Sequence, residues 1–197
     1  MKKIAIFASG TGSNARKIVE YFKESTTIEV ALIVSNRKKA LVLKMAEEFE
    51  IEHFVIDRTS FYASAEDEKE SPILLKKLAE FKIDFIALAG FLWLIPDYLV
   101  DAYDKKMLNI HPALLPKYGG KGMYGNHVHE AVKIAGEKES GISIHFVNKK
   151  YDEGDIVFQK KCLIDKKDMP SDIAAKVLKL EHEYFPKTIE KVIENHT

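Results

Sequence analysis

Thirty basic residues balance thirty acidic ones over 197 residues, which disfavours a general nucleic-acid or membrane-surface binder, and 46% hydrophobic content is ordinary for one globular domain spanning 1–197. The single cysteine, Cys162, excludes an intrachain disulfide and a multi-cysteine metal site, and reads as a strand-buried apolar residue. Too few apolar residues follow Met1-Lys2-Lys3 for a secretion signal, and no run approaches the roughly 18 needed for a membrane span, so a soluble cytoplasmic protein is expected.

Ile4 to Ala8 is a continuous apolar run, the pattern of a strand buried on both faces of a parallel sheet. It runs into Gly10-Thr11-Gly12-Ser13-Asn14. Glycines there allow a tight turn and close backbone approach, and Ser13 or Asn14 is placed to cap a helix carrying Ile18, Val19 and Phe22. Free amides at such a helix start favour an anion, which makes the loop either a phosphate cradle or a ligand-free β-to-α turn. Its spacing fits neither the dinucleotide fingerprint nor the nucleotide-triphosphate loop.

Glu29 to Val34 reads as the second strand, Leu41 to Phe49 as a helix, and His53 to Ile56 as a short strand with His53 in solvent. Ser60 to Ser71 is polar and acidic, a loop or frayed helix start, before helical spacing resumes over Ile73 to Phe81. Asp84 to Gly90 is a further buried strand that delivers Phe91-Leu92-Trp93-Leu94-Ile95-Pro96 to the sheet edge, as core or as the wall of a slot for a flat ligand. Alternating strands and helices imply right-handed crossovers and a doubly wound, mostly parallel α/β sheet.

Met107 to Ile110 forms the next strand, and Asn109 and His111, two residues apart, point the same way where it ends. Ligands bind at that edge of open sheets, although an isolated pair of this kind could equally serve the following loop. Four glycines make Lys117 to Asn126 an irregular loop, and the helix after it carries His127 and His129, which do not share a face and so do not form a metal site. Gly141 to Val147 alternates as a half-buried strand with Ser143 and His145 on one face. An acidic turn, Asn148 to Asp155, leads to a returning strand over Ile156 to Gln159. The last helix, from Ser171, places Ile173, Val177, Leu178 and Leu180 inward and completes the fold after the hairpin.

The motifs Gly10-Thr11-Gly12-Ser13-Asn14, Ala89-Gly90-Phe91, Asn109-Ile110-His111-Pro112-Ala113-Leu114-Leu115-Pro116, His145-Phe146-Val147, Tyr151-Asp152-Glu153-Gly154 and Glu181-His182 with Tyr184-Phe185-Pro186 occur in order along the whole chain. In this they resemble the glycinamide ribonucleotide formyltransferases of purine synthesis. The resemblance implies formyl transfer from 10-formyltetrahydrofolate to the amine of glycinamide ribonucleotide, without a metal, in a monomer or homodimer.

It also implies roles by position. Gly10 to Asn14 take the substrate phosphate, and Glu181 its ribose. Phe91, Leu92, Trp93, Leu94 and Ile95 together with Asn148, Lys149, Lys150, Tyr151 and Asp152 border the folate, and His145 lines the site near His111. Asn109 and protonated His111 would donate to the formyl oxygen, while Asp152 would favour the imidazolium and relay protons. Trp93 stands where many members carry a basic residue near the folate tail. The glycine loop, Gly119 to Asn126, looks longer than usual.

Overall fold

The computed structural model describes residues 1–63 and 71–195, and the chain divides into two compact units, Met1–Met107 and Leu108–Thr197. The first unit is a βα alternation. Its strands are β1 (Lys2–Phe7), β2 (Ile28–Ser35), β3 (His53–Val55) and β4 (Phe85–Leu88), and β1 runs parallel to both β2 and β4 while β2 runs parallel to β3. Ile4 to Ala8, Leu32 to Val34 and Ile86 to Ala87 are fully buried, the reason these strands read as unbroken apolar runs.

Parallel neighbours need crossovers, and helices supply them: α1 (Ser13–Phe22), α2 (Leu41–Glu48), the short α3 (Arg58–Tyr62), α4 (Ile73–Glu80) and α5 (Asp97–Ala102). α1 buries Ala15, Ile18, Val19 and Phe22, one apolar stripe at helical spacing. Its N-terminus departs from expectation. The cap is Gly12, in the left-handed region at φ 78, so Ser13 and Asn14 fall inside the first turn of the helix instead of at its cap. Gly12 is required there because a Cβ would lie 2.7 Å from Val42 Cγ2. Of the polar stretch after β3, Ser60 to Tyr62 complete α3, capped by the Asp57 carboxylate accepting from Ser60 N at 3.0 Å; residues 64–70 lie outside the described residues. α5, absent from the sequence reading, starts directly after Pro96, with Asp97 favourable to the first-turn dipole.

The second unit carries β5 (Met107–His111) from Leu108 onward, α6 (Asn126–Ile134), β6 (Glu139–Phe146), β7 (Ile156–Leu163) and α7 (Pro170–Asn195). β5, β6 and β7 are successively antiparallel. β6 is not half-buried as its alternation suggested: Ser140 to His145 are all buried, because Ser143 and His145 spend their polar atoms on internal hydrogen bonds. β7 continues past Gln159 to Leu163 and is largely exposed, as expected of the last strand of a sheet, so Cys162 is half-buried rather than buried. α7 buries Ile173, Val177, Glu181, Phe185 and Ile189, a stripe of four-residue steps. Leu178 falls off that stripe and is 37% exposed, Leu180 is only half-buried, and the helix runs through Pro186.

Among the described residues the sheet has seven strands in the order β3-β2-β1-β4-β5-β6-β7, the doubly wound, mostly parallel arrangement with a closing hairpin and helix that the sequence predicts. No helix among the described residues is long and apolar enough to cross a membrane.

Candidate active site

The register of β5 against β6 builds the polar cluster of the second unit. Asn109 pairs with His145, and His111 with Ser143. Both β5 side chains lie on one face, as the two-residue period requires. Asp152 comes to them on the turn between β6 and β7, in a left-handed conformation at φ 55. That turn packs closely enough that a Cβ on Gly154 would lie 1.8 Å from the Phe146 carbonyl oxygen, so the position excludes every other residue.

Asn109 Nδ2 donates to Asp152 Oδ1 at 3.3 Å and lies 3.1 Å from His145 Nε2. His111 Nδ1 is 3.5 Å from Asp152 Oδ2, and His145 Nε2 is 3.5 Å from Asp152 Oδ1. The far nitrogens are held by main chain: His111 Nε2 donates to the Tyr118 carbonyl and His145 Nδ1 to the Phe146 carbonyl, both at 2.7 Å. Gly120 N donates to Asp152 Oδ2 at 2.9 Å, so the start of the glycine loop is fastened to the carboxylate.

Burial pushes the His111 imidazole below its ordinary value, against the opposing pull of the Asp152 charge and the Tyr118 carbonyl. For Asp152, burial raises the carboxyl, but the neighbouring His145 and His111 rings and the Gly120 amide outweigh it and hold it below the usual range. The cluster therefore keeps its anion and has a weakly basic imidazole beside it. Its donors, one amide and one ionisable ring, suit an oxygen that gains charge during reaction.

Sequence reasoning missed what fixes the turn after His111. Ser143 Oγ donates to the Ala113 carbonyl at 2.7 Å and accepts from Leu115 N at 2.9 Å, while Gln159 Nε2 donates to Ser143 Oγ and to the Leu115 carbonyl. The proline-bounded loop is thus clamped by β6 and β7. Tyr118, at φ 59, is held by its phenol donating to Glu137 at 2.9 Å. An exposed-looking serine and glutamine in strands carry no sequence signal for this.

The remaining predicted residues divide between the units. In the second, the Asn148 side chain accepts from Lys150 N at 2.9 Å, Lys149 and Lys150 are exposed, Tyr151 is half-buried, and Glu181 lies on the buried stripe of α7. In the first, Gly10 and Thr11 are exposed and Gly12 is buried; the first i→i−4 bond of α1 is Arg16 N donating to the Gly12 carbonyl, so the Ser13, Asn14 and Ala15 amides precede the helical ladder. Ser9 ties this loop to the one after β4 through Ser9 N to the Gly90 carbonyl and Leu92 N to Ser9 Oγ.

Phe91 and Ile95 are buried, and Leu92, Trp93 and Leu94 half-buried. Trp93 joins Phe61, Tyr62 and Phe91 in an aromatic cluster, and the Arg58 guanidinium sits over both the Trp93 and Tyr62 rings, at 5.8 and 5.4 Å. Arg58 also escaped the sequence reading, since its contacts come from α3. His127 is exposed and His129 buried, and the described residues hold no group of three or more metal-ligating side chains arranged for an ion.

Residues 2–189 match the Formyl transferase family. The chain is 41% identical over 194 residues to the chloroplastic phosphoribosylglycinamide formyltransferase of Arabidopsis thaliana, covering 98% of this chain and 66% of that one. It is 37% identical to the phosphoribosylglycinamide formyltransferase of Bacillus subtilis, covering 95% of it. It thus spans just under two thirds of the Arabidopsis protein and nearly all of the bacterial one. The crystal structure of phosphoribosylglycinamide formyltransferase from Bacillus halodurans superposes with a TM-score of 0.87 at 32% identity, over 100% of this chain and 97% of that one. That from Anaplasma phagocytophilum gives 0.85 at 28%, over 98% and 87%. With the match running through both units and the fold shared, the chain belongs to the formyl transferase family.

Proposed function

We propose that the chain transfers the formyl group of 10-formyltetrahydrofolate to the amine of glycinamide ribonucleotide, giving the formylated ribonucleotide and tetrahydrofolate, a step of purine synthesis. The activity is assigned to one formyltransferase domain over 1–197, working in the cytoplasm as a monomer or homodimer and without a metal. The observation that carries the reading is the meeting of Asn109 and His111 around the nearly buried Asp152 carboxylate, with the polar atoms 3.3 to 3.5 Å apart. The names of the relatives at 41% and 37% identity support the acceptor.

In this reading Asn109 and the His111 imidazolium stabilise the oxygen of the tetrahedral adduct, and Asp152 holds the charge of the imidazolium and takes part in moving the amine proton. The loop Gly10 to Asn14 receives the phosphate through the first-turn amides of α1, and Glu181 the ribose. Phe91 to Ile95 and Asn148 to Asp152 border the folate, for which the aromatic cluster of Phe61, Phe91 and Trp93 offers a flat apolar wall. The test is tetrahydrofolate formation, followed spectrophotometrically with and without glycinamide ribonucleotide. Product that requires the ribonucleotide is the expected result; product without it makes the chain a hydrolase and refutes the assignment.

A further inference from the structure

Two backbone carbonyls decide which nitrogen of each site histidine carries a hydrogen. A carbonyl only accepts, so the 2.7 Å bond to the Tyr118 carbonyl requires a hydrogen on His111 Nε2, and the 2.7 Å bond to the Phe146 carbonyl requires one on His145 Nδ1. The opposite nitrogens, His111 Nδ1 and His145 Nε2, then face different oxygens of the same carboxylate, Asp152 Oδ2 and Oδ1, each at 3.5 Å. The side chains are 4% exposed for His111, 3% for His145 and 12% for Asp152. One buried negative charge thus lies between two imidazoles, and one added proton neutralises it while a second leaves buried positive charge.

Asn109 adds the second constraint. Its Nδ2 has two hydrogens, one directed to Asp152 Oδ1 at 3.3 Å and the other to His145 Nε2 at 3.1 Å. His145 Nε2 accepts only while it is bare, and in that state Asn109 has no hydrogen left for a substrate. A proton on Nε2 abolishes the acceptor, turns His145 into a donor toward Asp152 Oδ1, and leaves one Asn109 N–H without a partner in the protein.

We propose that His145 is a second proton-holding residue of the transfer, and that protonation of its Nε2 releases an Asn109 N–H to the substrate oxygen. This rests on the formyl-transfer reading. The amine lone pair forms the new C–N bond to the formyl carbon as the C=O π pair moves onto oxygen. The proton lost by that nitrogen passes through Asp152 to His145 Nε2, so the Asn109 N–H becomes available when the oxyanion forms. On collapse the oxygen pair restores C=O, the bond to the donor nitrogen breaks with its electron pair, and that nitrogen recovers the proton from His145 through Asp152. The groups facing His145 are Asp152 from the β6–β7 turn and Asn109 and His111 from β5, with Gly154 behind its Nδ1; His129 of α6 feels the His111 charge.

The decisive comparison is wild type against H145Q, whose side-chain oxygen still accepts from Asn109 but takes up no proton. Steady-state assays over a pH series are combined with 15N NMR of labelled histidine in the wild type. We expect kcat of H145Q to fall about 100-fold throughout the pH series and KM for both substrates to stay within about two-fold. A purely orienting histidine is replaced by glutamine with little loss, so a kcat near wild type overturns the proposal. The spectra should show Nε2–H at His111 and Nδ1–H at His145 in the neutral rings, and the same tautomer at both overturns it even if H145Q fails to fold. Wild-type protein that makes no product with glycinamide ribonucleotide refutes the functional reading instead, and the tautomers then decide the histidine assignment alone.

Discussion

Replacing Asp152 by asparagine keeps the size of the side chain and removes its charge. Oδ1 accepts from Asn109 Nδ2, and Oδ2 accepts from Gly120 N, so each oxygen faces an N–H donor. Whichever way the new amide turns, its NH2 meets one of those donors. One donor pair is left unsatisfied in a nearly buried site, a loss of about 1–3 kcal/mol of stability. The charge beside His111 disappears as well. Since that charge opposes the lowering by burial, the imidazolium of D152N is lost at lower pH than in the wild type. With the charged donor gone and proton relay blocked, kcat should fall about 100- to 1,000-fold, equivalent to roughly 3–4 kcal/mol in the transition state. KM for the ribonucleotide should change little, because Asp152 has no part in holding its phosphate. Initial rates of tetrahydrofolate formation and a urea denaturation curve measure the two effects separately. A D152N protein that keeps a third or more of the wild-type kcat refutes the role assigned to the carboxylate.

Gly12→Ala forces an L-residue into φ 78 and drives its Cβ to 2.7 Å from Val42 Cγ2, which should cost at least about 1–2 kcal/mol and raise KM for the ribonucleotide; an unchanged melting temperature would contradict it. Ser143→Ala leaves the Leu115 amide without its acceptor and should lower stability by about 1–3 kcal/mol, read from the urea midpoint, with a loss of kcat as the loop after His111 slackens. Burial lowers both His111 and His129, so the unfolded chain binds more protons around and below the ordinary value of 6.5. The corresponding stability is complete above that value and is lost as pH falls toward the lower folded values. His129→Leu should therefore flatten the fall in urea midpoint between about pH 7.5 and 5.5; equal falls in both proteins would exclude a contribution from His129.

The parts legible in the sequence are those whose side chains announce their setting. Ile4 to Ala8 and Phe85 to Leu88 are apolar because both sheet faces are covered, and Asn109 and His111 share a face because strands repeat every two residues. Three features were hidden for one reason: main-chain atoms carry no residue signature. The Gly12 cap replaces a side-chain cap, the Tyr118 carbonyl meets His111, and the Gly120 amide meets Asp152. β6 misled in another way, since Ser143 and His145 alternate with Ile142 and Ile144 as an exposed face would, yet are buried because they hydrogen-bond internally. On α7, Leu178 has the chemistry of a core residue but sits one step round from Val177.

The clamp on the proline-bounded turn bears on how such a protein tolerates evolutionary change. Ser143 and Gln159 hold Ala113 and Leu115 from strands, while Tyr118 and Gly120 are pinned at His111 and Asp152. From Lys121 to Asn126 the loop is exposed or half-buried, and Gly122 and Gly125 have nothing within 4 Å of a notional Cβ. Insertions, deletions and neutral drift in that stretch leave the strand bearing Asn109 and His111 undisturbed, so lineages are free to vary the loop's length and chemistry while the reacting groups keep their places.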